Sequence, residues 1–370
     1  MLTRRMFLEN SAALSLPIAA NQLFAAVPEA QSAVLSPSSF RTLLGQAPEK
    51  APLRPQVLHT WNLDGYRREL VEYSTFANER VQVYVLTPDR PSGKLTGIVA
   101  VHQDGAVRPY NIGKDEPAGL GGDPELAYGI ELCRRGHIVI CPDRFPFGRR
   151  SLANSKFKQT FDGFRVVWQG NNLDLTEDLY RGCIANRLLF EGWSSLGMEL
   201  LELQCAADYL CTHPRVDADK LGIIGHSAGG LLASLAMYSD SRLKVGCAST
   251  GTFLIRWIYG SENLKPITGF GSALAVPGLG RIGDINDILA GVAPRPFLET
   301  AGDQGIPESM HNELTGRARQ RYAELGVPER LEYTVYPGGH VFRQDMRIKS
   351  YEWLERWLGA TTVATAAKPA

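Results

Sequence analysis

Apolar and polar positions change rhythm several times along the chain, and the changes mark out its elements. Residues 67–73 and 81–87 (VQVYVLT) alternate apolar with polar, separated by a turn at Ala77-Asn78-Glu79, as an antiparallel hairpin does. From Leu95 onward the alternation gives way to short apolar or β-branched runs at 95–102 (LTGIVAVH), 137–143 (HIVICPD), 220–225 (KLGIIG), 245–250 (VGCAST), 296–302 (PFLETAG) and 331–337 (LEYTVYP). Runs of this kind belong to strands buried on both faces. Helical stripes separate them: Leu200, Leu203, Ala207 and Leu210 share one face, and Leu231, Leu232, Leu235 and Ala236 share another. Strands alternating with helices predict an α/β fold: a mostly parallel, twisted sheet with an N-terminal antiparallel hairpin and helices on both faces. Two stretches break the rhythm, about 151–193 and about 252–283. Each follows a strand directly, on the side where open α/β sheets bind ligands, so both are expected to be lid-like insertions.

The N-terminus obeys a different logic. Thr3-Arg4-Arg5-Met6-Phe7-Leu8 leads into a weakly apolar stretch at 12–20, with small residues at Ala25 and Ala26. This reads as a twin-arginine export signal over residues 1–26, and it predicts a periplasmic or secreted protein. Residues 27–60 hold Pro28, Pro37, Pro48, Pro52 and Pro55 and read as a Pro/Ala-rich linker with one short helix around 40–44. The α/β domain is then expected over 61–359, followed by a flexible Ala-rich tail at 360–370. No later segment reaches the roughly 18 uninterrupted apolar residues of a membrane span.

Composition narrows the function classes. A 44% hydrophobic content excludes disorder as a global description, and 39 basic against 39 acidic residues leave no electrostatic footprint for nucleic acid or an anionic membrane. Six cysteines are too few for a disulfide framework in a chain of 370 residues.

The chemistry concentrates in Gly225-His226-Ser227-Ala228-Gly229-Gly230, a G-x-S-x-G pattern between the strand residues 221–224 and an apolar helix. A serine on so tight a turn is exposed at the strand end, and side chains at 225 and 229 would collide with neighbouring backbone. Ser227 is therefore the candidate nucleophile, with the Ala228 N–H directed at a developing oxyanion. A serine hydroxyl needs a base and a group to orient that base. His340, reached through Gly338-Gly339 after the last strand, is the candidate base, and His311 is expected to be an exposed helical residue. Asp303, at the end of the 296–302 strand, is the candidate acid, while Asp284 and Asp287 look like helix caps. The second oxyanion donor is expected from the loop after His102, with the Gln103 N–H preferred over Asp104. His102 and His226 are expected to pack around the turn. No His or Cys pair has metal-ligand spacing and no Gly-rich loop has a nucleotide-binding form, so neither metal nor cofactor is implied.

With these residues in place the chain resembles the α/β-hydrolase superfamily, in particular its dienelactone hydrolase and acetyl xylan esterase-like serine hydrolases. Beside the elbow, the resemblance rests on Val101-His102-Gln103, Gly113-Lys114, Glu116-Pro117-Ala118-Gly119-Leu120, Cys141-Pro142-Asp143, His213-Pro214, Ala293-Pro294-Arg295-Pro296 and Pro337-Gly338-Gly339-His340. It implies a Ser227–His340–Asp303 triad; the export signal, the lid-like insertions and the neutral charge balance add the expectation of an exported enzyme cleaving carboxylic esters, with an acetylated saccharide as a candidate substrate. It departs from the dienelactone hydrolases, whose nucleophile is usually cysteine. A peptidase related to the prolyl oligopeptidases and a catalytically silent binding protein on the same scaffold are the rival readings. Trp168, Trp193 and Trp257 lie in or beside the insertions and either anchor them or stack on sugar rings. Substrate identity and oligomeric state stay open.

Overall fold

The computed structural model describes residues 35–76, 79–89, 93–104, 112–156, 176–260, 273–303 and 307–359. The export signal, Trp168, the turn residues Ala77 and Asn78 and the tail at 360–370 lie outside the described residues.

Nine strands form one sheet: β1 (Gln56–Leu63), β2 (Tyr66–Ser74), β3 (Arg80–Pro88), β4 (Leu95–Val101), β5 (Ile138–Pro142), β6 (Val216–His226), β7 (Leu243–Ser249), β8 (Phe297–Gly302) and β9 (Leu331–Tyr336). Their spatial order is β1-β2-β3-β5-β4-β6-β7-β8-β9. β2 and β3 form the antiparallel hairpin that the alternation predicted, with Tyr73 paired to Val81. β3 joins β5 antiparallel, and every pair from β5 to β9 is parallel. All strand ends that follow a crossover therefore open on one edge, which carries His102, Ser227, Thr250, Asp303 and, beyond β9, His340.

Side-chain alternation in the central strands divides the core. Val99, Val101 and Ile223 pack with Leu200 and Leu203 of a helix at Ser195–Thr212 and with Leu231, Leu232 and Leu235 of a helix at Ala228–Ser239. Ile98, Ala100 and Ile224 point the other way, against Leu132 of a helix at Tyr128–Arg134 and Met346, Tyr351 and Leu354 of the last helix, Gln344–Leu358. Each sheet face is thus closed by helices, which explains why strands 95–101 and 221–226 carry apolar residues at successive positions rather than alternate ones.

Residues 35–60 carry two elements. A helix at Pro37–Leu44 starts with proline in its first turn and is capped by Ser36, whose Oγ accepts from the Ser39 N–H at 3.1 Å; it buries Phe40 and Leu44. Strand β1 was not foreseen. It is an edge strand, paired only with β2 and exposed over most of its length, so burial imposes no periodicity on QVLHTWNL. Within the first insertion, a helix at Glu177–Phe190 is capped by Thr176. Just after the second, Asp284 and Asp287 form a capping box on the helix Ile285–Val292. Among the described residues no helix is long and apolar enough to cross a membrane.

Candidate active site

Ser227 sits between β6 and the following helix with φ +55°, a left-handed conformation that a residue with a Cβ seldom adopts. Neighbouring backbone leaves little room for any other path. A Cβ at Gly225 would lie 2.2 Å from the Gly229 carbonyl oxygen, and one at Gly229 would lie 2.1 Å from the Val101 carbonyl oxygen. The turn is pinned by the Ser227 N–H, which donates to the Ser249 carbonyl at 2.8 Å. Ala228 opens the helix, so its N–H belongs to the first turn, where amides have no intrahelical acceptor and the helix dipole favours negative charge.

His340 reaches this turn from the far side. Its loop crosses directly over the end of β8: a Cβ on Gly302 would meet the Gly339 carbonyl oxygen at 1.5 Å, so only glycine admits the crossing. The His340 Nε2 lies 2.8 Å from Ser227 Oγ. Burial lowers the His340 pKa from its ordinary value, which favours the neutral imidazole that can accept the serine proton. Asp303 stands close by, though on the backbone: its Oδ1 accepts from the Gly339 N–H at 3.1 Å, and its own N–H donates to the Tyr336 carbonyl at 2.9 Å. No hydrogen bond joins the Asp303 carboxylate to the His340 ring among the described residues.

Two further histidines, His226 and His102, pack around the turn. His226 is buried, its ring stacked on Phe342 at 5.7 Å and 4.9 Å from the His340 ring, and burial followed by the nearness of His340 pushes its pKa down to about 3. His102 is also buried. Its Nδ1–H donates to the Gln103 carbonyl at 2.6 Å and its Nε2 accepts from the Arg144 N–H at 3.0 Å, while burial and the Arg144 charge push its pKa down to about 3. Both rings are neutral near pH 7.

The loop after β4, which carries Gln103, is fixed by groups that local pattern did not reveal. The Gln103 side-chain amide donates to Glu116 Oε1 at 3.1 Å, and burial raises the Glu116 carboxyl to about 7. Asp104, the alternative to Gln103 in the sequence, accepts from Arg144 Nη1 at 2.9 Å and Arg181 Nη1 at 2.5 Å. Burial alone would raise its carboxyl, but Arg181 and Arg144 outweigh burial and hold it below the usual carboxylate range. Arg144 also donates to Glu199 Oε1 at 3.1 Å. Arg181 belongs to the helix of the first insertion, so this ion cluster ties the insertion to the loop after β4 that carries Gln103. Four charges meet from four separate segments, which no sequence spacing could announce.

One expectation needs correction. His311 is buried rather than exposed, with Nδ1 2.8 Å from the Tyr333 hydroxyl of β9. Trp193 is buried against Phe76, ring centroids 5.2 Å apart, and anchors its segment; Trp257 donates to Glu313 at 3.3 Å. Among the described residues no group of His, Cys, Asp or Glu is arranged to hold a metal ion.

Known proteins resemble this chain in part and in whole. A profile of the prolyl oligopeptidase family matches residues 197–270, the stretch that contains Ser227. YtaP of Bacillus subtilis (strain 168), a protein assigned to the hydrolases, is 24% identical over 323 residues, covering 85% of this chain and 96% of that protein. Among solved structures, a Bacteroides fragilis NCTC 9343 protein assigned as an acetyl xylan esterase superposes with a TM-score of 0.63 at 18% identity, over 81% of this chain and 73% of that one. The glucuronoyl esterase of Solibacter usitatus gives a TM-score of 0.60 at 14% identity, over 86% of this chain and 91% of that one. The methylesterase BT1017 gives 0.60 at 17% identity, over 92% of this chain and 67% of that one. Identities this low speak for the fold, and the fold of this chain is that of the α/β-hydrolases.

Proposed function

We propose that this protein is a serine hydrolase that cleaves carboxylic esters through an acyl-enzyme. The observation that carries the proposal is the approach of His340 Nε2 to within 2.8 Å of Ser227 Oγ, made by a strained turn on one strand and a glycine loop on another. In this reading Ser227 Oγ attacks the ester carbonyl carbon as His340 Nε2 takes its proton. The carbonyl oxygen, now negative, is stabilised by the Ala228 N–H at the helix N-terminus and by the Gln103 N–H of the ion-pinned loop. His340 returns the proton to the leaving alcohol, and water then releases the acid by the same route in reverse. Asp303 is assigned the role of the acid that orients His340 and stabilises its imidazolium.

The named activities of the solved relatives, on acetyl xylan, glucuronoyl and methyl esters, support saccharide esters as the substrate class. The twin-arginine sequence supports action outside the cytoplasm, and Arg4→Lys with Arg5→Lys should then retain the protein in the cytoplasm. A second reading, cleavage of peptide bonds, is favoured by the match of residues 197–270 to the prolyl oligopeptidase family. The elbow and acyl-enzyme serve both bonds, so one comparison separates them. With p-nitrophenyl acetate the wild type should release a burst of p-nitrophenol that Ser227→Ala abolishes, and peptidyl p-nitroanilides should be turned over slowly or not at all. Rapid anilide cleavage without an ester burst would favour the peptidase.

A further inference from the structure

The end of β7 holds a second strained residue. Thr250 is buried and has φ +46°, a region that a β-branched side chain avoids because its branches crowd the backbone. Glycine would hold this turn at no steric cost. The backbone bonds that shape the turn ask nothing of the side chain: the Thr250 N–H donates to the Thr300 carbonyl at 3.1 Å, and the Gly251 and Thr252 N–H groups donate to the buried Glu299 carboxylate at 3.2 and 3.1 Å. A different property of threonine must be what the site uses.

That property is the hydroxyl. Thr250 Oγ1 accepts from the Gly302 N–H at 3.0 Å and donates to the Val341 carbonyl at 3.3 Å. Gly302 is the residue before Asp303, and Val341 is the residue after His340. One hydroxyl, with donor and acceptor both in use, therefore ties together the two segments that carry the proposed acid and the proposed base. Thr250 also follows Ser249, whose carbonyl receives the Ser227 N–H. The strained threonine thus stands where the backbones of all three proposed triad members meet.

We infer that Thr250 is a positioning residue, whose hydroxyl fixes the height of the His340 loop over Ser227 without touching substrate. The inference rests on the ester hydrolase reading. Displacement of a reacting group by about 1 Å costs on the order of 10²-fold in rate, so a loosened loop should be visible in kcat.

Two variants separate the hydroxyl from the strain. Thr250→Gly removes both, and Thr250→Ser keeps the hydroxyl while removing the branch. Thr250→Gly should still fold, the relieved strain offsetting part of the two lost hydrogen bonds, and keep KM within about 2-fold, while kcat on p-nitrophenyl acetate falls about 10- to 100-fold. Thr250→Ser should hold kcat within about 3-fold of wild type. The rate at which an organophosphonate modifies Ser227 should fall by the same factor in Thr250→Gly, because that reaction needs the same base. This second readout requires no ester turnover, so if wild type is labelled but cleaves no ester, the ester reading fails while the labelling rates still decide the role of Thr250. Unchanged labelling and kcat in Thr250→Gly, or a Thr250→Ser variant as impaired as Thr250→Gly, would overturn the inference.

Discussion

Burial lowers the pKa of His340, the proposed base, and this sets the sign of the pH dependence expected of it. A histidine whose pKa is lowered loses its proton below the ordinary value of about 6.5, so the acidic limb of kcat/KM should fall below that value. Rates measured from pH 4.5 to 8 check this, and a limb centred above 7 would contradict it. Asp303 invites a sharper test, because its carboxylate lies on the Gly339 N–H and not on the imidazole. Asparagine at this position keeps an oxygen for that N–H and removes only the charge. If Asp303 stabilises the imidazolium, Asp303→Asn should lower kcat by about 10⁴, the magnitude given for the equivalent change in the serine-protease triad. A loss within about 3-fold would mean that the residue merely braces the loop.

The elbow between β6 and its helix shows why part of the site is legible in the sequence. Its glycines answer to backbone only four residues away or on the adjacent strand, so the constraint is written locally as G-x-S-x-G. Gly229→Ala should place a methyl 2.1 Å from the Val101 carbonyl oxygen and destabilise the protein by about 3 kcal/mol, read as a lowered denaturation midpoint. Gly280→Ala, where a Cβ would meet nothing within 4 Å, should leave the midpoint in place. Strands β4 to β8 were legible for a related reason, since burial on both faces forces an apolar run; β9, expected to be buried in the same way, is instead a half-buried edge strand. β1 was not, because an exposed edge strand carries no such mark. Nor could the sequence show that His311 is covered, for its partner Tyr333 comes from β9, or that Arg144 and Arg181 gather on Asp104 while Arg144 also pairs with Glu199.

Taken as one molecule, the fold brings the ends of separate strands to a single edge and leaves the chemistry to the loops there. β4 contributes the Gln103 loop, β6 the proposed nucleophile Ser227, β7 the Thr250 tie, β8 Asp303 and β9 the proposed base His340. The ion cluster on Asp104 joins the first insertion to the same edge, so the parts form one assembly around Ser227. The account stands or falls on whether that serine is the activated one. Brief exposure of the intact protein to an organophosphonate ester, followed by proteolysis and mass spectrometry, tests this most directly. A single phosphonyl adduct on Ser227, with hydrolysis of p-nitrophenyl acetate lost in proportion to labelling, is the predicted result. An adduct on another residue, or full activity after Ser227 has been modified completely, would contradict it.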